Sequence, residues 1–541
     1  MNSRLYCIIV SFMFTLSAEA QYNRFWIQFS DKAGSPFSID RPSEFLSQAS
    51  VDRRTRYNIP YHISDLPVNQ SYISQVEEVP HVFVRYASKW FNGVVISVDD
   101  SQFENEALKT VTDLPFVAAY GKVKRLRTDL PAPDTTDGTY RTAKHSASLT
   151  NSQYAYGRGG RQAQQLGVQC LHEKGFRGEG ITIAVLDAGF FSVPANTIFD
   201  SLRAEGRLLG TRDFVDGGPD AYVGGEHGTM VLSCMAALAP GQAVGTAPKA
   251  SYWLLRTEEG GAETQSEEFN WIRGAEFADS AGADILTTSL GYTTFDNPAQ
   301  DYSFQTLNGR TAPMSVAATM AARKGMFVLN AAGNEGTSSW RHIGVPADAD
   351  SICTVGAIDS NGVRADFSSM GPTADGRIKP DLMARGAHTW VCRQNNECFL
   401  GNGTSFATPV LAGAVACYWQ ANRQLNNIRL LNRLKNNASK NTNPDTLYGW
   451  GIPNMCPAAD GAFTAYAGQN QVIVKLKDVG FEYINMQLCD MLGNTLFTSK
   501  ETMIDDYHFI LQTPGLAAGI YILKLETPHG IRSQKILKLD L

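Results

Sequence analysis

The stretch Ile181-Thr182-Ile183-Ala184-Val185-Leu186-Asp187-Ala188-Gly189 decides the fold class. A strand with one wet face alternates apolar and polar residues. This run is apolar almost throughout and reads as a strand buried on both faces. It ends on a carboxylate and a small-residue turn. Outward from it, Ser251-Tyr252-Trp253-Leu254-Leu255, Ala283-Asp284-Ile285-Leu286 and Met326-Phe327-Val328-Leu329 repeat the pattern, with helix-like segments at 274–281 and 314–323. Strands alternating with helices predict an α/β domain over 156–459, its mostly parallel sheet covered by helices. In such sheets active residues gather at the carboxyl ends of strands, and Asp187 stands at one.

The flanks read differently. Residues 21–126 hold a strand at 25–29, an Arg-rich helical stretch near 43–57, the apolar run 93–98 and a strand at 115–120, which together predict a small α+β module. From 127 to 155 Pro, Thr, Ser and Asp dominate. That is linker composition, and Lys122, Lys124, Arg125 and Arg127 at its start are open to proteolysis. Beyond 460, the runs 472–476, 484–488, 520–525 and 535–539 alternate apolar with polar or mixed residues between glycine-containing turns. They predict a small β-sandwich over 460–541. At the other end Arg4, the apolar run 5–16 and Ala18-Glu19-Ala20 have the layout of a secretory leader, with cleavage expected after Ala20.

With 541 residues and roughly 150 per domain, a single compact domain is excluded as the whole chain. Hydrophobic residues at 43% and charged residues at 18% exclude collagen-like and disordered classes. The balance of 47 basic against 53 acidic residues gives −6, with no basic block, so nucleic acid is not an expected partner. No run after the leader is long and apolar enough to predict a transmembrane segment. One of nine cysteines, Cys7, leaves with the leader, and 9 − 1 = 8 remain. Cys392 and Cys398 enclose a short polar loop and form the best local pair, while Cys234 and Cys417 sit in apolar helical patterns as core thiols. No cysteine spacing predicts a zinc site.

Four segments carry the chemistry. Asp187 closes the 181–186 strand. His227 opens a helical pattern in Gly225-Glu226-His227-Gly228-Thr229-Met230-Val231. Asn334 lies in the polar turn Asn330-Ala331-Ala332-Gly333-Asn334-Glu335-Gly336, and Ser405 enters an apolar helix within Gly401-Asn402-Gly403-Thr404-Ser405-Phe406-Ala407-Thr408-Pro409. Singly, each has a plainer role as turn, cap or surface residue. Together they suit acyl transfer. A serine hydroxyl needs an adjacent base such as His227, whose tautomer and cation a strand-end Asp187 would hold. The Asn334 amide and a backbone N–H at the start of the serine helix would receive the oxyanion.

In these segments the chain resembles the subtilisin-like serine peptidases, the subtilase or S8 family. The order Asp, His, Ser separates that arrangement from other triad folds. Gly403-Thr404-Ser405-Phe406-Ala407-Thr408-Pro409 matches the family's nucleophile motif at every position, His227-Gly228-Thr229 its histidine motif, and Ala331-Ala332-Gly333-Asn334 its oxyanion motif. The resemblance covers about 180–455. It implies a secreted serine endopeptidase that needs no cofactor for catalysis and acts on protein or peptide substrates. It further implies that Ser289-Leu290-Gly291 pairs with extended substrate, that Gly333 borders it, and that Gly344 leaves the S1 pocket deep enough for large apolar P1 residues. Ala188 departs from the family, which usually has Ser or Thr there, and removes one hydrogen bond to Asp187. Family members often bind calcium structurally, and no ligand run here identifies such a site.

Residues 21–126 resemble the propeptides of subtilases from Bacteroidetes-type bacteria, implying a self-processed zymogen cut within 122–155. Leu516-Ala517-Ala518-Gly519-Ile520-Tyr521-Ile522-Leu523-Lys524 resembles the C-terminal sorting domain of type IX secretion cargo, although the usual Asn-Pro opening is missing near 461–470. That resemblance implies the type IX machinery as a partner, export across the outer membrane of a Gram-negative bacterium, and a cell-surface or secreted destination. The rival reading is a catalytically weak or inactive adhesin on the same scaffold. Metal-dependent hydrolysis lacks its His-Glu-x-x-His helix among the nine histidines.

Overall fold

The computed structural model describes residues 23–99, 102–124, 155–261, 263–456, 463–476, 483–502, 508–527 and 530–539. The expected leader, and the expected linker except residue 155, lie outside them. The chain forms two compact units, one within 1–35, 68–87 and 91–130, the other within 36–67, 88–90 and 131–541.

The smaller unit is a four-stranded antiparallel sheet in the order Val82–Ser88, Gly93–Val98, Arg24–Phe29, Val117–Lys124. Phe25, Ile27 and Phe29 alternate inward and share a core with Val94, Ile96 and residues Val76 and Val111 of two helices, Gln70–Glu77 and Glu104–Thr112. The last strand begins at Val117, not at 115 as expected. Pro115 has no N–H for a ladder, and Val117 N–H closes a turn onto the Leu114 carbonyl at 3.0 Å.

The larger unit is built on the expected parallel sheet. Its order is Leu382–Arg385, Cys353–Ile358, Phe327–Ala331, Ile285–Thr288, Thr182–Asp187, Ser251–Arg256, Leu208–Asp213, with every recorded pair parallel. Ile183 and Val185 face a core shared with helices His227–Ala236 and Thr404–Ala421. Leu186 points the other way, where it meets Gly274 of the helix Gln265–Ala281. That helix begins nine residues before the expected 274, at a cap where Glu267 accepts from the Thr264 N–H at 2.8 Å, and ends at Gly282 with φ 86°.

Residues 36–67 and 88–90 fold with this larger unit. Helix Gln48–Arg56 starts at Ser47, whose hydroxyl accepts from Ser50 N–H at 3.2 Å. It places Arg53 and Arg54, each 1% exposed, over the end of the helix Gln265–Ala281. Arg53 donates to the carbonyls of Asp279 and Lys324, both at 3.2 Å, and to that of Ala283. Asp279 lies in the last turn of that helix, Ala283 just beyond its end, and Lys324 caps the helix Pro313–Arg323; carbonyls at helix ends have no partner within the helix and attract a cation. Arg53 also pairs with the Asp279 carboxylate. Arg54 spans Asp279 at 2.9 Å and Asp65 at 3.0 Å, and Lys324 reaches Asp65 at 2.5 Å.

Cys392 and Cys398 form the expected disulfide, closing the hairpin of Thr389–Cys392 and Cys398–Gly401. A second disulfide joins Cys170 to Cys456, 286 positions apart. Cys234 and Cys417 are buried thiols, as are Cys353 and Cys489. The C-terminal strands form two sheets, Phe463–Ala467, Gln471–Leu476, His508–Gln512 and Thr495–Thr502, Tyr483–Cys489, Gly519–Thr527, Gly530–Lys538. Val472, Val474, Met486, Leu488, Phe509, Leu511, Leu523 and Leu525 fill a core common to both, which makes them a sandwich.

Candidate active site

Four adjacent strands end at one edge of the sheet, and each contributes to a single cleft. Asp187 is the last residue of the strand Thr182–Asp187 and fully buried. Its Oδ1 accepts from the Ala188 N–H at 2.8 Å and lies 2.7 Å from His227 Nδ1. Its Oδ2 is buried and has no hydrogen-bond partner among the described residues. His227 opens its helix, and Gly228 allows that helix to approach the turn after Asp187. A Cβ on Gly228 would stand 2.4 Å from the Gly189 carbonyl oxygen. Burial opposes the imidazolium, but the charge and hydrogen bond of Asp187, with a smaller contribution from Glu258, outweigh it and push the His227 pKa up to about 9.

Ser405 is the second residue of the helix Thr404–Ala421, behind Gly403 at φ 154°, a backbone region that side chains disfavour. Its N–H belongs to the first turn and has no helical acceptor. Pro409 lies four residues on and lacks the N–H that would take the Ser405 carbonyl. The Ser289 hydroxyl takes it instead, at 2.8 Å, while the Ser405 hydroxyl donates to the Ser289 carbonyl at 3.2 Å rather than to His227. This reciprocal tie fixes the nucleophile motif to the segment that follows the strand Ile285–Thr288. Resting hydrogen bonds of this kind rearrange when substrate arrives.

Asn334 follows the strand Phe327–Ala331. Its Oδ1 accepts from the Thr404 N–H at 2.9 Å and the Thr404 hydroxyl at 3.0 Å. With its carbonyl end held by Thr404, Asn334 lines the cleft that also holds Ser405. That cleft encloses about 330 Å³ and is lined by Ala188, His227, Ser405 and Asn334 together with Ser289, Leu290, Gly291, Gly333 and Gly344. All nine residues expected at the site therefore either line this one cleft or, like Asp187, stand directly behind it. Gly291 is exposed between the buried Leu290 and Tyr292, and Gly344 packs so close that a Cβ would meet the Tyr292 carbonyl oxygen at 3.0 Å.

Residues 178–451 match the subtilase family, Peptidase S8. The chain belongs to the subtilase family. Residues 24–137 match a Peptidase S8 propeptide domain of Bacteroidota. Subtilisin NAT of Bacillus subtilis subsp. natto is 32% identical over 299 residues, 54% of this chain and 70% of that protein. Subtilisin BL of Lederbergia lenta is 31% identical over 284 residues, 52% of this chain and 92% of that protein. A crystal structure of MycP1 with the N-terminal propeptide removed covers 55% of this chain and 95% of that chain, at 22% identity and a TM-score of 0.43. The chain is thus a serine endopeptidase with a propeptide domain, and subtilase chemistry needs no cofactor. Among the described residues no group of three or more His, Cys, Asp or Glu is placed to hold a metal ion, and no helix is long and apolar enough to cross a membrane.

Three residues of the cleft, Thr293, Thr404 and Glu258, carry no role in the sequence. Thr404 is there only a position of the nucleophile motif, and its grip on Asn334 follows from folding. Glu258 lies two residues beyond the strand Ser251–Arg256, at the same carboxyl edge, and its position after a buried strand was the available signal.

Proposed function

We propose that Ser405 is the nucleophile, His227 its general base, Asp187 the group that orients and stabilises His227, and Asn334 with the Ser405 N–H the oxyanion hole. The observation that carries this reading is the 2.7 Å contact of His227 Nδ1 with a buried Asp187 in the cleft that also holds Ser405 and Asn334. Nδ1 carries the proton toward Asp187, which leaves Nε2 as the base. Ser405 Oγ bonds to the scissile carbonyl carbon as its proton passes to Nε2. The oxyanion is met by Asn334 and the backbone N–H, and Nε2 returns the proton to the departing amine. Water then repeats the sequence on the acyl-enzyme and restores Ser405. Substrate backbone lies along Ser289-Leu290-Gly291, and large apolar P1 side chains enter beside Gly333 and Gly344. Fluorophosphonate labelling tests the reading, since only an activated serine reacts. An unlabelled, folded enzyme would favour the adhesin instead.

His227 must be neutral to accept the proton. Because its pKa is raised from 6.5 to about 9, kcat/KM is expected to climb with pH through the alkaline range, losing about tenfold per pH unit below that ionisation. Ala188→Ser, which offers a donor to Asp187 Oδ2, is expected to draw negative charge from that carboxylate and move the profile to lower pH. A wild-type profile already flat between pH 6 and 8 contradicts this account.

The same reading extends to the flanks. The propeptide domain supports synthesis as a zymogen, cut by its own active site within 122–155. The C-terminal sandwich, with its hairpin of Gly519–Thr527 and Gly530–Lys538, serves as a type IX sorting domain that carries the enzyme to the cell surface or beyond. A periplasmic reporter fused to residues 461–541 is expected to reach the outside of a type IX-competent cell. Retention of the fusion in the periplasm would dismiss the sorting role.

A further inference from the structure

The His227 side of the cleft carries a carboxyl group whose charge is opposed, among the described residues, by His227 alone. Glu258 is half-buried, lines the cavity with Ala188, His227 and Ser405, and makes no hydrogen bond or ion pair with any described residue. Among the described residues no lysine or arginine lines that cavity; its ionisable groups are His227, Glu258 and Glu335. A partly desolvated carboxylate without a partner is unfavourable in the empty cleft and becomes favourable when a ligand brings the cation.

Burial, then the negative charges of Asp187 and Glu263, outweigh the attraction of His227 and push the Glu258 carboxyl up to about 8. An arriving cation would relieve all of these at once.

An extended chain turns successive side chains to opposite faces. With P1 entering the wall formed by Gly333 and Gly344, the preceding P2 side chain faces the wall formed by Ala188, His227 and Glu258. The geometry points to Glu258 as a specificity residue that selects lysine or arginine at P2. This inference rests on the active site proposed above. It makes the preferred substrate a peptide with a basic residue before an apolar one.

The test uses purified enzyme whose active sites are counted by fluorophosphonate titration, and peptides that differ only at P2. Norleucine, which has the lysine stem without its charge, is the reference. Wild type is expected to favour P2 lysine over norleucine by on the order of tenfold in kcat/KM. Glu258→Gln brings that ratio to about one, and Glu258→Lys makes P2 glutamate the better substrate. The wild-type ratio rises with pH as Glu258 loses its proton, whereas Asp187 and His227 act on both peptides alike and cancel. A wild-type ratio near one, or a ratio that survives in Glu258→Gln, overturns the inference. Titrated enzyme that cleaves the norleucine peptide without preference defeats only Glu258. Enzyme that is neither labelled nor cleaves any peptide defeats the active site itself.

Discussion

Ser405→Ala is expected to lower kcat/KM by roughly 10⁶-fold, the loss that removal of the nucleophile causes in a subtilisin, while the protein remains folded. The size of the effect follows from the arrangement. Without Oγ no acyl-enzyme forms, and the Asp187–His227 pair has nothing to activate. What survives is the oxyanion hole with substrate binding, worth roughly 10³–10⁴-fold over water. Stability changes little because Ser405 Oγ makes one bond, at 3.2 Å to the Ser289 carbonyl, and the Ser289 hydroxyl still holds the Ser405 carbonyl. The same variant tests zymogen processing. On a gel the chain is expected to stay at its unprocessed length, so the wild-type fragment pattern in Ser405→Ala would rule out self-cleavage. Activity within tenfold of wild type, measured on a fluorogenic peptide, would remove Ser405 from the mechanism.

Much of this was legible in the chain, for reasons that are local. The strand Thr182–Asp187 announces itself because a strand buried on both faces cannot alternate, and the residues at its carboxyl end then inherit a place in the cleft. Asp187, His227, Asn334 and Ser405 each sit in a short segment whose backbone geometry is set by near neighbours. What escaped the sequence is non-local. The carbonyl left free by Pro409 could be foreseen, but its partner Ser289 lies 116 positions away. Cys170 and Cys456 share no local pattern at all. The strand Thr495–Thr502 is largely polar and owes its state to pairing with Tyr483–Cys489. Arg53 and Arg54 mislead most directly, since an Arg-rich helix reads as a solvated face and these two are buried. Their counter-charge, Asp279, is more than 200 positions away.

Asp279→Ala is expected to destabilise the unprocessed chain by about 3–5 kcal/mol, because it leaves the buried Arg53 guanidinium without its paired carboxylate and takes one of two from Arg54. Asp279 is fully buried, pairs with both Arg53 and Arg54, and has Lys89 at 3.8 Å. Beside it Glu276 accepts from the N–H groups of Lys89 at 3.1 Å and Trp90 at 2.9 Å, so residues 88–90 are held to the same helix. Burial opposes the Asp279 charge, but Arg54, Arg53, Lys89 and Lys324 outweigh it and hold its pKa below 3.8. The pair's contribution is therefore present throughout the neutral range and fades only as pH falls below that value. Measured in the Ser405→Ala background, which keeps 36–67 in the chain, Asp279→Ala should lower Tm by several degrees, and Asp279→Asn by less. Adding Arg53→Met should restore part of the loss, since the guanidinium left without a carboxylate is then removed, whereas Arg54 keeps Asp65. In processed enzyme, where residues 36–67 are no longer covalently attached, the same substitution should matter little. An equal loss of Tm in both forms would mean that Asp279 supports the peptidase directly and that its pairing with Arg53 and Arg54 is incidental.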